Sequence, residues 1–403
     1  MALIVMKFGG TSVANAQCIE RVAWIIAEAY SEGNEIIAVL SAQGHTTDDL
    51  IAKALEVNPT PSKREMDVLM STGEQASVAL VAMALEKIGM PVVSLTGWQV
   101  RMRTNSEYGG ARIKGISAER MRAELDRSRI VLVAGFQGIN KFDDITTLGR
   151  GGSDTTAVAL AAVMNADICR IYTDVDGVYT VDPNKYPFAI KLDEISYDEM
   201  LELCSLGVEV LHMRSVEMAK RYGIVIEVLS SFERKPGTEV KEVTKKMEDS
   251  KISGIATDSK IARISVLGMR DKPGIAFQIF TQLAMAKINV DIILNSIAAN
   301  DDTNISFTVA KRDIEAAVSA LEKSRKVIGF REITVGDNLA KVSIIGAGMM
   351  SSPGVAAQMF EALYSAKINI EAIATSEIKV SVLVKEKDAK RAVEALHTKF
   401  FVD

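Results

Sequence analysis

Up to about residue 230, short apolar runs alternate with stretches whose apolar positions recur every three or four residues. The runs at 4–8, 35–41, 92–95, 130–134, 168–173 and 224–229 are close to continuously apolar. That pattern predicts strands of a parallel sheet covered on both faces, because a half-solvated strand would alternate apolar with polar. After the first run, Ile19, Val22, Ala23, Ile26 and Ala29 fall on one helical face. Strands and helices taking turns predict a layered α/β domain with a mostly parallel sheet, over residues 1–232.

Between 233 and 251 the pattern stops. The stretch ERKPGTEVKEVTKKMEDSK is charged, contains Pro-Gly and has little apolar periodicity, so it reads as a linker. Beyond it the chain repeats itself. Pro273-Gly274 matches Pro353-Gly354, Ala286-Lys287-Ile288-Asn289 matches Ala366-Lys367-Ile368-Asn369, and Ser296 matches Ser376, all at an offset of 80 residues. Phe280 and Leu283 match Phe360 and Leu363 as core positions of one helix. Ile264-Ser265-Val266-Leu267-Gly268 matches Val342-Ser343-Ile344-Ile345-Gly346, with two extra residues before the second proline. Each copy predicts a ferredoxin-like βαββαβ unit, at 252–335 and 336–403.

Composition narrows the function classes. The 403 residues are 48% hydrophobic and 25% charged with a formal net charge of -5, a globular profile without a basic block. A nucleic-acid surface or polybasic membrane patch is not expected. Cys18, Cys169 and Cys204 are far apart, which suits buried free thiols rather than a disulfide set or a metal site. The apolar start MALIVM runs into Lys7 and two glycines without a basic n-region, so a cytoplasmic protein is expected.

Two glycine-rich turns carry candidate chemistry. Lys7-Phe8-Gly9-Gly10-Thr11-Ser12 stands where the first strand gives way to a helix. Its glycines would let backbone approach phosphate oxygens, with Lys7 as a nearby charge, or would simply make a tight turn. Gly149-Arg150-Gly151-Gly152-Ser153-Asp154-Thr155-Thr156 opens onto an apolar helix whose N-terminus favours anions. Arg150 offers a planar fork for a carboxylate, while Ser153 and Asp154 could equally be helix caps. Thr173-Asp174-Val175-Asp176-Gly177-Val178-Tyr179, ending in Asp182-Pro183, would by itself fit a plain hairpin. Ser71-Thr72-Gly73-Glu74 leaves Glu74 open as a surface acid. The three histidines, His45, His212 and His397, have no metal-ligand spacing, and neither a G-x-x-x-x-G-K-[ST] loop nor a protein-kinase H-R-D set occurs.

Taken in order, KFGGTS, STGE, GRGGSDTT, TDVDGVYTVDP and LHMRSVE resemble the amino-acid kinase family, and within it the aspartate kinases. GGSDTT and TDVDGVY are shared loosely with carbamate, glutamate and uridylate kinases. The KFGGTSV start and a C-terminal pair of ACT repeats are not. The resemblance implies an ATP-dependent kinase of the side-chain carboxylate of L-aspartate, the first step toward lysine, threonine and methionine. It implies ATP with Mg²⁺ carried on the phosphates and no protein metal cage. Lys7, Phe8, Gly9 and Gly10 would hold phosphates, and Thr173, Asp174, Tyr179 and Lys185 would line the nucleotide site. Ser41, Thr47, Glu74, Arg150, Gly151, Gly152 and Ser153 would surround aspartate, with Glu74 facing its amino group. Asp154 would position substrate and Lys7. Aspartate's side chain, with a pKa of about 3.9, is already ionised at neutral pH, so no general base is required.

Two positions depart from that family. Glu209, after Val208, stands where a nucleotide-contacting lysine is usual, and Asn184 replaces an arginine, with Lys185 beside it. Two other readings are a kinase for another small carboxylate such as glutamate, and a non-catalytic amino-acid sensor. For regulation, the resemblance implies feedback by lysine, threonine or both, bound where ACT units meet. Asp271, Ile275, Asn289, Asn295, Asn369, Ile370, Ser376 and Glu377 are the expected effector residues, the asparagines also being ordinary turn residues. A homo-oligomer through the ACT units is expected, and Met247 stands where a separate regulatory subunit could start.

Overall fold

The computed structural model describes residues 2–208, 210–244, 250–297 and 302–402, in two compact units, Met1–Asp249 and Ser250–Asp403. Glu209 and Met247 lie outside the described residues.

In the first unit the strands are β1 (Leu3–Phe8), β2 (Glu35–Leu40), β3 (Val92–Leu95), β4 (Arg103–Thr104), β5 (Ile113–Gly115), β6 (Ile130–Ala134), β7 (Gln137–Ile139), β8 (Ile145–Thr147), β9 (Ile168–Thr173), β10 (Glu194–Ser196), β11 (Ile226–Ser230) and β12 (Thr238–Lys241). The helices are α1 (Ala16–Ser31), α2 (Thr46–Val57), α3 (Lys63–Lys87), α4 (Glu119–Leu125), α5 (Gly152–Met164), α6 (Tyr197–Ser205) and α7 (Met213–Tyr222). Eight strands form one sheet in the order β10-β12-β11-β9-β1-β2-β6-β3, antiparallel only between β11 and β12. β4, β5, β7 and β8 make a small separate sheet.

Both faces of the central strands are covered, as their unbroken apolar runs require. Ile4, Met6, Phe8, Ile36, Ala38 and Leu40 share a core with Ile19, Val22 and Ile26 of α1 and Val78, Val81 and Leu85 of α3. The alternate positions Val5, Ile37, Val39, Val131 and Val133 are just as buried, and α5 packs on β1, β2 and β9. That is why α5 is buried nearly all round. α3 is long and apolar enough to cross a bilayer by composition, yet its buried Asp67 and Glu74 and its core contacts make it an interior helix.

The parallel register decides where a site can form. Phe8 pairs with Leu40 and Tyr172, and Leu40 with Ala134, so the loops after β1, β2, β6 and β9 leave from one sheet edge. Ligands of open α/β sheets bind at such an edge.

Two expected boundaries are corrected. β12 lies inside the stretch read as a linker and joins the main sheet beside β10 and β11. Thr238 and Val240 face inward while charged neighbours face outward, an alternation hidden by the charges. The strand expected at 224–229 runs instead from Ile226 to Ser230.

The second unit holds both repeats. Its strands are β13 (Gly254–Asp258), β14 (Ile261–Arg270), β15 (Ile293–Ile297), β16 (Asp302–Ala310), β17 (Glu332–Gly336), β18 (Leu339–Ile345), β19 (Ala372–Thr375) and β20 (Lys379–Lys385). Its helices are α8 (Ile275–Met285), α9 (Ile314–Lys323), α10 (Arg325–Ile328), α11 (Val355–Ser365) and α12 (Ala389–His397). The sheets run β15-β16-β14-β17 and β13-β18-β20-β19. The first is a complete βαββαβ unit. In the second, the final strand is supplied by β13, which comes before the first repeat in sequence and pairs antiparallel with β18. Residues 254–258 therefore belong to the second repeat, not the first, and the first repeat is inserted within the second. The duplication extends to backbone detail, with Gly274 and Gly354 both at φ 95° and Lys287 and Lys367 at φ 57° and 55°.

Candidate active site

β1 delivers Lys7 to the loop edge, where its Nζ lies 2.6 Å from Asp154 Oδ1 in the first turn of α5. Each of these side chains is only 12% exposed. The turn after Phe8 is held by Ser12, whose hydroxyl shares a 2.8 Å hydrogen bond with Ser231, and Ser231 N donates to Thr173 O at 3.0 Å. A Cβ on Gly10 would stand 2.8 Å from Ala42 O, so only glycine lets the two loops meet. Gly9 N donates to Tyr172 O at 3.2 Å, which commits that amide to the backbone. Phe8 is fully buried and stacked on Tyr172 with ring centres 4.7 Å apart, so its side chain does not reach a ligand. The expectation for Phe8 is corrected to a core residue, as its place on an inward-facing strand position requires.

Glu74 projects from α3 toward the loop after β2. Gly73, one residue before it, has no Cβ, and one there would sit 2.8 Å from Ala42 Cβ. Glu74 Oε1 accepts from Ala42 N at 3.2 Å, while Oε2 is buried without a partner. Burial pushes its carboxyl up from 4.5 to about 7, with backbone hydrogen bonds opposing the shift. Such an acid suits a bound ammonium group that would fill the vacant valence. Ser41 directly follows β2 and Thr47 stands in the first turn of α2, both half-buried.

The GRGGSDTT turn has Gly149 and Gly151 in the left-handed region, at φ 78° and 65°. Arg150 between them is exposed, and Ser153 and Asp154 are buried. Gly135, unnoticed in sequence, makes room for Ser153, since a Cβ there would lie 2.6 Å from Ser153 Oγ. Only its position directly after an apolar strand hinted at that role.

At the end of β9, Thr173 Oγ1 donates to Asp174 Oδ1 at 3.1 Å. Tyr179 donates to Asp176 Oδ1 at 2.6 Å, and this bond, then burial, lifts its pKa to about 12. Lys185 pairs with Asp182 at 3.1 Å on the surface, and Asn184 N donates to Asp182 Oδ1 at 3.0 Å. Sequence reading also missed Asp67, which follows Lys63-Arg64-Glu65 and looks like one more charge at a helix start. It is fully buried and accepts from Gly109 N, Thr147 N and Thr147 Oγ1.

Of the effector candidates, Asp271, Asn289, Asn295, Asn369, Ser376 and Glu377 are exposed and Ile370 is half-buried. Asn295 accepts from Thr303 Oγ1 at 2.8 Å. Ile275 is corrected. With Ile279 and Leu283 it forms the buried face of α8, so its side chain is core rather than ligand-facing.

The model of the amino acid kinase family matches residues 2–230, and that of the ACT domain matches 264–324 and 342–400. An aspartate kinase of Pseudomonas putida is 49% identical over 404 residues, spanning 100% of this chain and 98% of that one. Among solved structures, E. coli aspartokinase III in complex with aspartate and ADP matches with a TM-score of 0.81 at 26% identity, covering 99% of this chain and 100% of that one. The same E. coli enzyme in complex with lysine and aspartate gives a TM-score of 0.78 at 25% identity, covering 99% of each chain. Together with the paired Lys7 and Asp154 and the interleaved repeats, these likenesses place the chain in the amino acid kinase family, among the aspartate kinases that carry two ACT repeats.

Proposed function

We propose that this chain transfers the γ-phosphoryl group of MgATP to the side-chain carboxylate of L-aspartate, giving 4-phospho-L-aspartate and ADP. The observation that carries the reading is the Lys7–Asp154 pair, set at the sheet edge between two glycine-rich turns. A side-chain oxygen of aspartate forms the new P–O bond as the bond to the β–γ bridging oxygen breaks, and ADP leaves with that electron pair. The nucleophile is already an anion, so no proton moves. Lys7 neutralises charge on the phosphoryl oxygens, and Asp154 holds its ammonium in place. Gly10 and the first turn of α5 present backbone to phosphate. Mg²⁺ enters as part of the nucleotide, held by phosphate and water oxygens.

Arg150 grips a carboxylate of aspartate, with Ser41, Thr47 and Ser153 around it, and Glu74 takes the α-amino group. Thr173, Asp174, Tyr179 and Lys185 line the nucleotide. Lysine, threonine or both act on the ACT repeats through Asp271, Asn289, Asn369, Ser376 and Glu377, placing the reaction at a feedback-controlled step of amino-acid biosynthesis. The outer strands β15 and β19 each pair on one side only among the described residues and expose Ile293 and Ile373, which supports a homo-oligomer through sheet edges. The test is ADP release with aspartate or glutamate as acceptor, repeated with lysine and threonine singly and together. Turnover with glutamate in preference to aspartate, or none with either, defeats the reading.

A further inference from the structure

The Gly149–Gly152 turn has one hydrogen bond of its own, from Gly152 N to Gly149 O at 3.0 Å, and little else within it to fix its shape. Two of its residues are left-handed glycines, which are as free in the unfolded chain as any residue. Gly109 lies against Gly149 and Phe136 against Gly152, and the remaining support comes from the segment Leu211-His212-Met213-Arg214. Arg214 Nη1 donates to Leu148 O at 2.7 Å and Nη2 to Ala111 O at 3.0 Å. Leu148 is the residue immediately before the turn. Ala111 N donates in turn to Thr147 O at 2.8 Å, so the guanidinium spans both chains of a backbone pair. Asp67 of α3 holds the same two chains, accepting from Thr147 N at 2.9 Å and from Gly109 N at 3.0 and 2.9 Å.

The next contact is closer still. A Cβ built on Gly151 would fall 2.1 Å from His212 Cγ, so the imidazole rests directly on that glycine's backbone. Burial, then the neighbouring Arg112, lowers the pKa of Arg214. A half-buried guanidinium whose hydrogen bonds both go to main-chain carbonyls is costly unless its geometry is used. A planar fork can hold two divergent carbonyls where an ammonium would hold one.

We propose that Arg214, backed by His212, is a positioning residue that fixes the glycine-rich turn in the form that binds aspartate. This rests on the reading that Arg150 and Ser153 of that turn hold the substrate. Tying α7 to the domain for stability alone would predict a lower melting temperature with both substrates affected alike.

The experiment uses the full chain with Arg214→Ala and Arg214→Lys, and Arg150→Lys alongside. Arg214→Ala raises the KM for aspartate about tenfold, as loss of two charge-assisted hydrogen bonds allows, and that for ATP less than about twofold. Deuterium exchange accelerates over residues 147–153 but not in β1 or β9. Arg214→Lys falls between, and added guanidinium restores part of the aspartate affinity of Arg214→Ala. Unchanged exchange over 147–153 overturns the proposal, as does an equal rise in both KM values. Faster exchange with an unmoved aspartate KM overturns it too, and Arg150→Lys then locates the failure. If that variant raises the aspartate KM, only the role of Arg214 falls; if it does not, aspartate is not bound by this turn. Should Arg214→Ala fail to fold, Arg214→Lys with the exchange measurement decides the matter.

Discussion

Lys7 Nζ and Asp154 Oδ1 meet at 2.6 Å, joining the last turn-facing residue of β1 to the first turn of α5. The two residues are far apart in sequence and belong to two different glycine-rich turns. Their pairing is what makes one site of both. A lysine so held has little freedom to wander when phosphate arrives.

Lys7→Ala is expected to lower kcat by about a hundredfold or more, the scale lost with one preorganised electrostatic partner. Circular dichroism should stay close to the parent, because Lys7 contributes charge rather than packing, while the melting temperature falls as Asp154 is left buried without its partner. Asp154→Asn should cost less in kcat, since the ammonium remains but is less well aimed. Near-parental turnover in Lys7→Ala would remove the residue from the mechanism.

Glu74 predicts a pH dependence. With its carboxyl at about 7, it becomes neutral as pH falls through that value and can no longer pair with the ammonium of aspartate. The KM for aspartate should therefore climb between pH 8 and pH 6, and Glu74→Gln should show a high, flat profile. Stability runs the opposite way. A carboxyl raised from 4.5 to about 7 favours the fold at low pH, and this contribution is lost as pH rises through that window, about 3 kcal/mol in all. Glu74→Gln should thus melt higher than the parent at pH 8 while binding aspartate worse. A parallel loss of both would show that Glu74 serves the core.

Arg150→Lys separates the two substrates. Lysine keeps the charge but not the two-pronged geometry, so the KM for aspartate should rise about tenfold with that for ATP little changed. Equal changes would mean that Arg150 shapes the turn for both ligands.

Much of this site was legible because its elements are locally encoded. The apolar runs of β1, β6 and β9 and the spacing of α1 need no partner to be recognised, and the glycine turns stand where they end. What stayed hidden depends on contacts far along the chain. β7 and β8 are three residues each, too short to read from pattern, and Thr147 at the end of β8 is held by Asp67 of a distant helix. Asp67 and Arg214 each look like one more charge on an amphipathic helix, and nothing near them in sequence names their partners. Phe8 and Ile275 sit inside the right motifs, but their side chains point into the core. Periodicity shows which positions are buried, and it marks both of these as core.

Asp271→Ala and Ser376→Ala test regulation. Both side chains are exposed, so neither change should disturb the fold. Inhibition by lysine and threonine together should weaken about five- to a hundredfold, the usual range of allosteric coupling, with uninhibited turnover unchanged. Inhibition curves identical to the parent's for both variants would place the effectors elsewhere.

The last prediction follows from the interleaving of the repeats. β13 is the outer strand of the second repeat's sheet, and Ile255, 3% exposed, pairs with Ile344 on β18. Ser253 N adds a 2.7 Å bond to Ile345 O, and a Cβ on Gly346 would stand 2.3 Å from Lys251 O. The chain entering the regulatory unit is thus pinned along the edge of β18 before the first repeat begins. Without it, β18 would present an unpaired row of amides and carbonyls, open to association. Ile255→Ala removes buried volume at that junction and should cost the regulatory unit about 3 kcal/mol. Gly346→Ala should do at least as much, because its methyl group would strike backbone that cannot swing aside. Calorimetry should then show an earlier transition, with faster proteolysis near residues 250–258, while aspartate-dependent ADP release in the absence of effector stays near the parent's. On the proposal that the second repeat helps to bind the effectors, inhibition should be blunted in both variants. If Gly346→Ala melts and responds to effectors as the parent does, β13 is an ornament of the sheet and the second repeat closes without it.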